Sequence, residues 1–231
     1  FALFQDNAGA DRIILAAKEG LHREGRLWSI IFRQLEMEHP HAERILIALS
    51  HPLPSGFIGV AYLDWVNTFS LAEKLDAHPF DTEAGYELLR QYLTMQDPQF
   101  HSYAQSAAAS LPFIHGDKRA ELLALSLDHT SPAVQMEGAW GSGKVGSAAG
   151  INMMARLCRD PEHSKQACLY LRELELEEAI PREVLQPSFQ AQAELVAWLA
   201  HPDEFGRPPD EIKLLDAREL YWPPTRDRRP V

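Results

Sequence analysis

The chain has 231 residues, a net charge of −11 at pH 7 and an apolar content of 45%. That apolar fraction is enough for a buried core and excludes a chain that is disordered throughout. The acidic balance argues against a nucleic-acid binder, because such proteins need clustered Lys and Arg to displace counterions from phosphate. No apolar run reaches the roughly 18 to 20 residues of a membrane-spanning helix. The sequence therefore predicts a protein that acts away from nucleic acid and membrane.

Helices are predicted along most of the chain, because apolar residues recur at spacings of three and four. In chain order they cover 11–19, 24–38, 42–49, 57–69, 82–93, a helix opened by Pro98, 118–127, a helix opened by Pro132, 146–157, a helix opened by Pro161, and 189–199. His-Pro, Asp-Pro and Ser-Pro pairs separate many of them, because the residue before a proline is pushed out of the α region. These helices define a helical domain over 1–203. A segment without helical signal follows over 204–231, and we predict it to be extended.

Three of these helices begin with the same pattern. Asp97-Pro98, Ser131-Pro132 and Asp160-Pro161 each offer a side-chain oxygen as an N-cap, followed by a proline that the first helical turn tolerates. A small residue stands six positions after each proline, and an aliphatic residue thirteen after it: Ala104, Gly138 and Ala167, then Leu111, Val145 and Leu174. Such repetition predicts stacked helical units that share a continuous core.

At these residues the chain resembles the HEAT-repeat family. The segment from Ser131 to Gly146 is similar to the second helix of such a repeat, and 97–111 and 160–174 follow the same pattern. The resemblance is clearest over 82–199. It implies an all-α fold, a right-handed superhelix (solenoid) of about five antiparallel helix pairs.

One departure from the family pattern is a run of glycines where alanines are usual, at Gly138, Gly141 and Gly143. Each glycine costs roughly 0.5–1 kcal/mol relative to alanine in a helix. We therefore predict that this helix is kinked or lies unusually close to a neighbour.

Signals for catalysis or metal binding are weak. The segment from Gly141 to Ser147 resembles a phosphate loop, but Lys144 is not followed by Ser or Thr and no strand precedes it, so a helix end is the simpler interpretation. His78, His129 and His201 lie at predicted helix ends and are interpreted as last-turn residues or caps, since no zinc-type spacing occurs. We predict no catalytic residue, no cofactor and no metal site.

The two cysteines, Cys158 and Cys168, are too few for a disulfide framework and favour a reducing, cytoplasmic location. Both are predicted to be small buried side chains that could lie close together on neighbouring helices. The chain begins at Phe1 rather than Met and ends at Val231 without a stop signal, so we expect it to be a piece of a longer protein.

A candidate binding face follows from the resemblance, since the second helices of successive HEAT repeats line the concave surface. Positions five and eight after each proline then share that surface, and the residues proposed for binding are Tyr103, Glu137, Trp140 and Gln166. Exposed aromatic residues anchor protein interfaces. The sequence thus predicts a non-catalytic scaffold for a protein or peptide partner. For Trp140 the alternative is packing against the neighbouring helix.

Enzymatic functions remain open as a second hypothesis, because HEAT-like proteins include bilin lyases and alkylpurine DNA glycosylases. A glycosylase would need a basic groove with an exposed Trp and a carboxylate. Trp140 and Glu137 fit that requirement, whereas the acidic charge does not. A lyase would need a deep tetrapyrrole pocket. A third possibility is a regulatory domain of a larger protein.

Overall fold

A computed structural model describes residues 6–21, 26–213, 218–223 and 226–230. This part of the chain is mostly helical, as predicted. Its helices are α1 (Asn7–Lys18), α2 (Leu27–Gln34), α3 (Ala42–Ser50), α4 (Gly56–Leu71), α5 (Glu83–Leu93), α6 (His101–Ser110), α7 (Arg119–Leu127), α8 (Pro132–Lys144), α9 (Ala148–Leu157), α10 (Ser164–Glu173) and α11 (Pro187–Ala200). Short 3-10 turns cover Pro98–Phe100, Leu111–Phe113, Glu177–Ala179 and Arg182–Leu185. Among the described helices, none is both long and apolar enough to cross a membrane.

The last part of the C-terminal segment 204–231 forms one antiparallel hairpin, so the prediction of an extended conformation is confirmed for its two strands. Its strands are β1 (Glu219–Trp222) and β2 (Asp227–Pro230). Glu219 pairs with Pro230, and Trp222 pairs with Asp227. The segment is therefore distinct in structure from the helices before it.

The helices pack in two alternating sets. The even-numbered helices α4, α6, α8 and α10 contact one another in succession, and we call them the even series. Helix α5 packs against α6 and α7, α7 packs against α8, and α9 packs against α8 and α10. The three helices with the proline pattern, α6, α8 and α10, are therefore consecutive neighbours.

Several turns between helices use one hydrogen bond, in which a side-chain acceptor takes the amide two residues further on. His78 Nδ1 accepts from the Phe80 amide at 3.2 Å, and His129 Nδ1 accepts from the Ser131 amide at 3.0 Å. The same bond is made by His39, His201, Asp97 and Asp160. The predicted capping role is confirmed for His78, His129 and His201, and Asp97 caps the turn that Pro98 opens. Asp160 caps a turn but not α10, whose N-cap is His163.

The predicted cap at Ser131 is wrong, because its side chain makes no cap bond and its amide is held by His129 instead. The prolines also differ in what they open. Pro132 begins α8 directly, whereas Pro98 opens a 3-10 turn before α6. Helix α10 begins only at Ser164, after a turn in which Asp160 caps the Glu162 amide.

Two hydrophobic clusters make up the core, and they meet on α8. The first extends from α1 to Val134, and the second from Met136 to Val184. The small residues of the repeat, Ala104, Gly138 and Ala167, are all buried, as is Leu111. Val145 does not continue the buried face that the repeat predicts, since 38% of it is exposed. The reason is that α8 ends at Lys144 and the chain turns away at Gly146, which has a φ of 79°.

Helix α8 lies unusually close to its neighbours. Of the two predictions made from its glycines, a kink or a close approach, the close approach is confirmed. A Cβ at Gly138 would lie 2.1 Å from Ser126 Oγ on α7. A Cβ at Gly150 of α9 would lie 2.5 Å from the Ala139 carbonyl oxygen. Glycine permits these approaches because it has no Cβ.

Candidate binding surface

Polar side chains from successive members of the even series lie next to each other. We call this set the polar row: Asp64 on α4, Gln105 and Ser106 on α6, Glu137 on α8, and Gln166 and Tyr170 on α10. Each helix is placed by its apolar face, which packs into the core, so the polar positions of neighbouring helices adjoin.

Glu137 is the centre of the polar row. The Tyr170 hydroxyl donates to its two carboxylate oxygens, at 3.1 Å to Oε1 and 3.0 Å to Oε2. Burial raises the pKa of Glu137, hydrogen bonds from Tyr170 and Gln105 oppose the rise, and the charge of Asp64 adds to it. The two carboxylates thus feel each other's charge across α6.

Asp64 is the one charged residue in the otherwise apolar or neutral α4. Surrounding protein raises its pKa to about 6, and a hydrogen bond with Ser106 opposes that rise. The side chain nevertheless remains open to solvent. It lines a cavity of about 210 Å³ together with Arg33 and Trp65. The Asp64 carboxylate is thus surrounded by protein but still reached by solvent, so it lies in a recess where a ligand can contact it.

Within the described part of the chain no salt bridge reaches Asp64 or Glu137, although Arg33 lines the same cavity as Asp64. The nearby cation Lys144 has other partners. Its Nζ lies 3.3 Å from Glu173 Oε1 and 4.8 Å from the centroid of the Trp140 ring. The row is therefore an acidic surface with hydrogen-bonding groups around it.

Trp140 does not lie on the surface, and the expectation of an exposed Trp is wrong. Only 4% of the residue is exposed, and its ring stacks on Tyr170 with centroids 5.4 Å apart. Its indole Nε1 is buried without a hydrogen-bond partner in the structure. Trp140, eight positions after Pro132, lies between α8 and α10. The alternative that it packs against the neighbouring helix is therefore confirmed.

The other predicted positions divide between two places. Gln166 is exposed and hydrogen-bonds Tyr170, so it joins Glu137 and Trp140 around that tyrosine. Tyr103 is half-buried in a separate aromatic cluster, where its ring packs against Phe57, Tyr92 and Phe100.

Sequence reasoning missed Tyr170 and Asp64. Tyr170 follows the predicted Gln166 by one helical turn, and Asp64 is a lone acid inside an apolar helix. A lone charge in such a helix must face solvent or a partner, so it was a usable signal. Their juxtaposition with Glu137 depends on how helices distant in sequence pack.

Other motifs do not form sites. The segment Gly141–Lys144 lies inside α8, so its amides are committed to the helix and cannot cradle a phosphate. Among the described residues, no three His, Cys, Asp or Glu side chains come together in a way that could hold a metal ion.

Comparison of the chain with known protein families, with curated proteins and with solved structures finds no match. The resemblance to HEAT repeats therefore rests on the residues quoted above.

Proposed function

We propose that this chain is a non-catalytic interaction module whose even series binds a segment of a protein or peptide. The partner presents a Lys or Arg side chain to Asp64 and Glu137. The observation that supports this is the raised pKa of both carboxylates, together with the absence of a salt bridge to either of them among the described residues. A carboxylate that is costly to ionise in the free protein becomes easier to ionise when a cation binds beside it.

The groups around the carboxylates suit a peptide. Gln105 and Gln166 carry amides that donate and accept, and the Tyr170 hydroxyl holds Glu137 in one orientation. The ring of Tyr170 is in turn held by stacking on the buried ring of Trp140. A rigid, pre-oriented surface binds at a lower entropic cost than a mobile one.

The proposal includes a HEAT-like architecture, in which about five antiparallel helix pairs form a right-handed superhelix and the even series lines its concave side. The succession of α4, α6, α8 and α10 supports it, as do the buried small residues at equivalent positions. A reducing, cytoplasmic location fits the two free thiols.

Nucleic acid and DNA glycosylase chemistry are disfavoured by the same surface. The acidic row repels phosphate, and Trp140 is buried rather than free to wedge into a base stack. We therefore retain the interaction module as the single proposed function.

The test uses fluorescence anisotropy with acetylated octapeptides that have randomised flanks. Each peptide carries a central Arg or its neutral isostere citrulline. We expect the Arg set to bind about tenfold more tightly, which corresponds to roughly 1.4 kcal/mol. The double variant Asp64→Asn with Glu137→Gln should abolish this preference. The matched control Glu87→Gln, on exposed α5 surface, removes one charge elsewhere and should preserve it.

Two outcomes would contradict the proposal. One is equal binding of the Arg and citrulline sets. The other is a preference for Arg that survives in the double variant. Circular dichroism of each variant shows that a lost preference does not come from unfolding.

A further inference from the structure

The chain's two cysteines lie against each other. Cys158 follows the last residue of α9, and Cys168 lies in α10. Their sulfur atoms are 3.5 Å apart, and both thiols are free. The packing of α9 on α10 thus holds the two sulfurs in contact without a bond.

We propose that Cys158 and Cys168 are a modification site that closes to a reversible intramolecular disulfide under hydroperoxides or other two-electron thiol oxidants. An S–S bond is about 2 Å long, so the sulfurs need to approach by roughly 1.5 Å. Rotation about the Cα–Cβ bond of either cysteine moves its sulfur by such a distance. This inference does not depend on the proposed binding function.

An oxidant reaches the pair through a cavity of about 380 Å³. Cys168 lines this cavity, and the exposed residues Lys165 and Glu194 lie on its wall, so it opens to solvent. Cys168 is 6% exposed, whereas Cys158 is 0% exposed. Cys168 is therefore the thiol that meets the oxidant, and Cys158 is the one that resolves the product.

The steps balance with hydrogen peroxide as the oxidant. The Cys168 thiolate attacks one peroxide oxygen, the O–O bond breaks, and the hydroxide that leaves takes a proton to become water. The Cys158 thiolate then attacks the sulfur of the resulting sulfenic acid and expels hydroxide, which becomes a second water. Two thiols and one peroxide thus give one disulfide and two waters, and an added dithiol reverses the change.

Cys158 sets the speed of the second step. Burial and the neighbouring Cys168 raise the pKa of its thiol, and the charges of Arg159 and Arg172 oppose that rise. Only the thiolate attacks, so closure should become faster as the pH rises.

The test uses the full reduced chain treated with hydrogen peroxide. We expect free thiols to fall from two to none, no intermolecular dimer on non-reducing electrophoresis, and recovery of both thiols with dithiothreitol. Trypsin cuts after Arg159 and Lys165, which places the two cysteines in separate peptides. A disulfide-linked pair of these peptides, lighter by two hydrogen atoms than their sum, identifies the bond directly.

Two variants separate the roles. Cys158→Ser should stop at a Cys168 sulfenic acid that dimedone traps, and Cys168→Ser should leave Cys158 reacting at least about tenfold more slowly than Cys168 does. Two free thiols after treatment, a product that is only an intermolecular dimer, or equal reactivity of the two single variants would each overturn the proposal.

Discussion

The Tyr170 hydroxyl donates to both carboxylate oxygens of Glu137, at 3.1 and 3.0 Å, although the two residues stand 33 positions apart in the chain. The bond joins α10 to α8 at the centre of the polar row. It fixes the direction of a carboxylate that burial makes harder to ionise. Tyr170 is thus a positioning residue for the acidic surface.

Tyr170→Phe should raise the pKa of Glu137 further, because the variant removes a donor to the ionised carboxylate while keeping the ring on Trp140. We expect a stability loss of about 1.5 kcal/mol, typical of a hydrogen bond to a charged group. Carbon-detected NMR titration of the Glu side chains and urea unfolding measure the two effects. Tyr221→Phe, at a tyrosine that is 58% exposed on β1, is the control and should change neither. An unaltered Glu137 pKa would contradict the role of Tyr170.

His78 should make the fold sensitive to mild acid. It is 4% exposed, its Nδ1 accepts from the Phe80 amide, and Nε2 lies 3.1 Å from Asn67 Oδ1, an arrangement that assigns the neutral Nε2–H form. Burial lowers its pKa from 6.5 to about 4. Between pH 6.5 and about 4, His78 therefore binds a proton in the unfolded chain but not in the folded one. The contribution of neutral His78 to the free energy of unfolding is fully present above pH 6.5. It falls by roughly 3 kcal/mol in all as the pH drops toward 4.

Chemical denaturation of the parent chain and of His78→Gln between about pH 7 and pH 4.5 measures this linkage. The variant should be less stable at neutral pH, because it loses the imidazole contacts. The gap between the two proteins should narrow as the pH falls. Parallel curves would show that His78 does not titrate with unfolding.

Asp64→Asn should stabilise the protein at neutral pH. The folded-state pKa of Asp64 is about 6 against an ordinary value of 3.8, so the folded carboxyl holds its proton more tightly than the unfolded one. The charged form therefore costs stability above pH 6 and costs none below 3.8. Since solvent screens this open side chain, we expect a gain of only about 1 kcal/mol at pH 7.

Urea unfolding of Asp64→Asn at about pH 7 and again below about pH 4 tests the sign of this effect. The gain should vanish at the lower pH, and Glu87→Gln should show no comparable gain at either. A destabilised Asp64→Asn at neutral pH would mean that the carboxylate is already stabilised in the folded protein.

Gly150→Ala should destabilise the contact between α8 and α9. The new Cβ would lie 2.5 Å from the carbonyl oxygen of Ala139, a backbone atom that cannot rotate away. We expect a net loss of roughly 2 kcal/mol, because overpacking outweighs the gain in helix propensity. Gly141→Ala is the matched control, since the nearest atoms to its Cβ would be side-chain atoms at ordinary or slightly tight distances: Pro112 Cδ at 3.2 Å, Pro112 Cγ at 3.4 Å and Leu123 Cδ2 at 3.5 Å. Thermal unfolding should place Gly141→Ala within about 1 kcal/mol of the parent chain. Equal stability of the two variants would contradict the close approach.

The helices were predictable because their signals are local. Apolar spacing and the His-Pro and Asp-Pro junctions depend on neighbouring residues alone, and Asp97 caps the turn that Pro98 opens as expected. Asp160 caps only a turn that precedes α10. Ser131 makes no cap bond with its side chain, although its own amide donates to His129 Nδ1.

The binding surface was predictable only in part. The direction of Trp140 depends on where α10 lies against α8, and the pairing of Glu137 with Tyr170 depends on the register of the same two helices. Tyr103 was misplaced for the same reason, since it packs toward α5 through Tyr92. Composition and periodicity give the buried face of each helix but not its rotation relative to a distant partner.

Helix α8 carries Val134 of one hydrophobic cluster and Met136 of the other, only two positions apart. Loosening of α8 therefore exposes both clusters to water at once. The amide hydrogens of α8 should accordingly exchange with deuterium only through global opening, and they should be among the slowest in the protein.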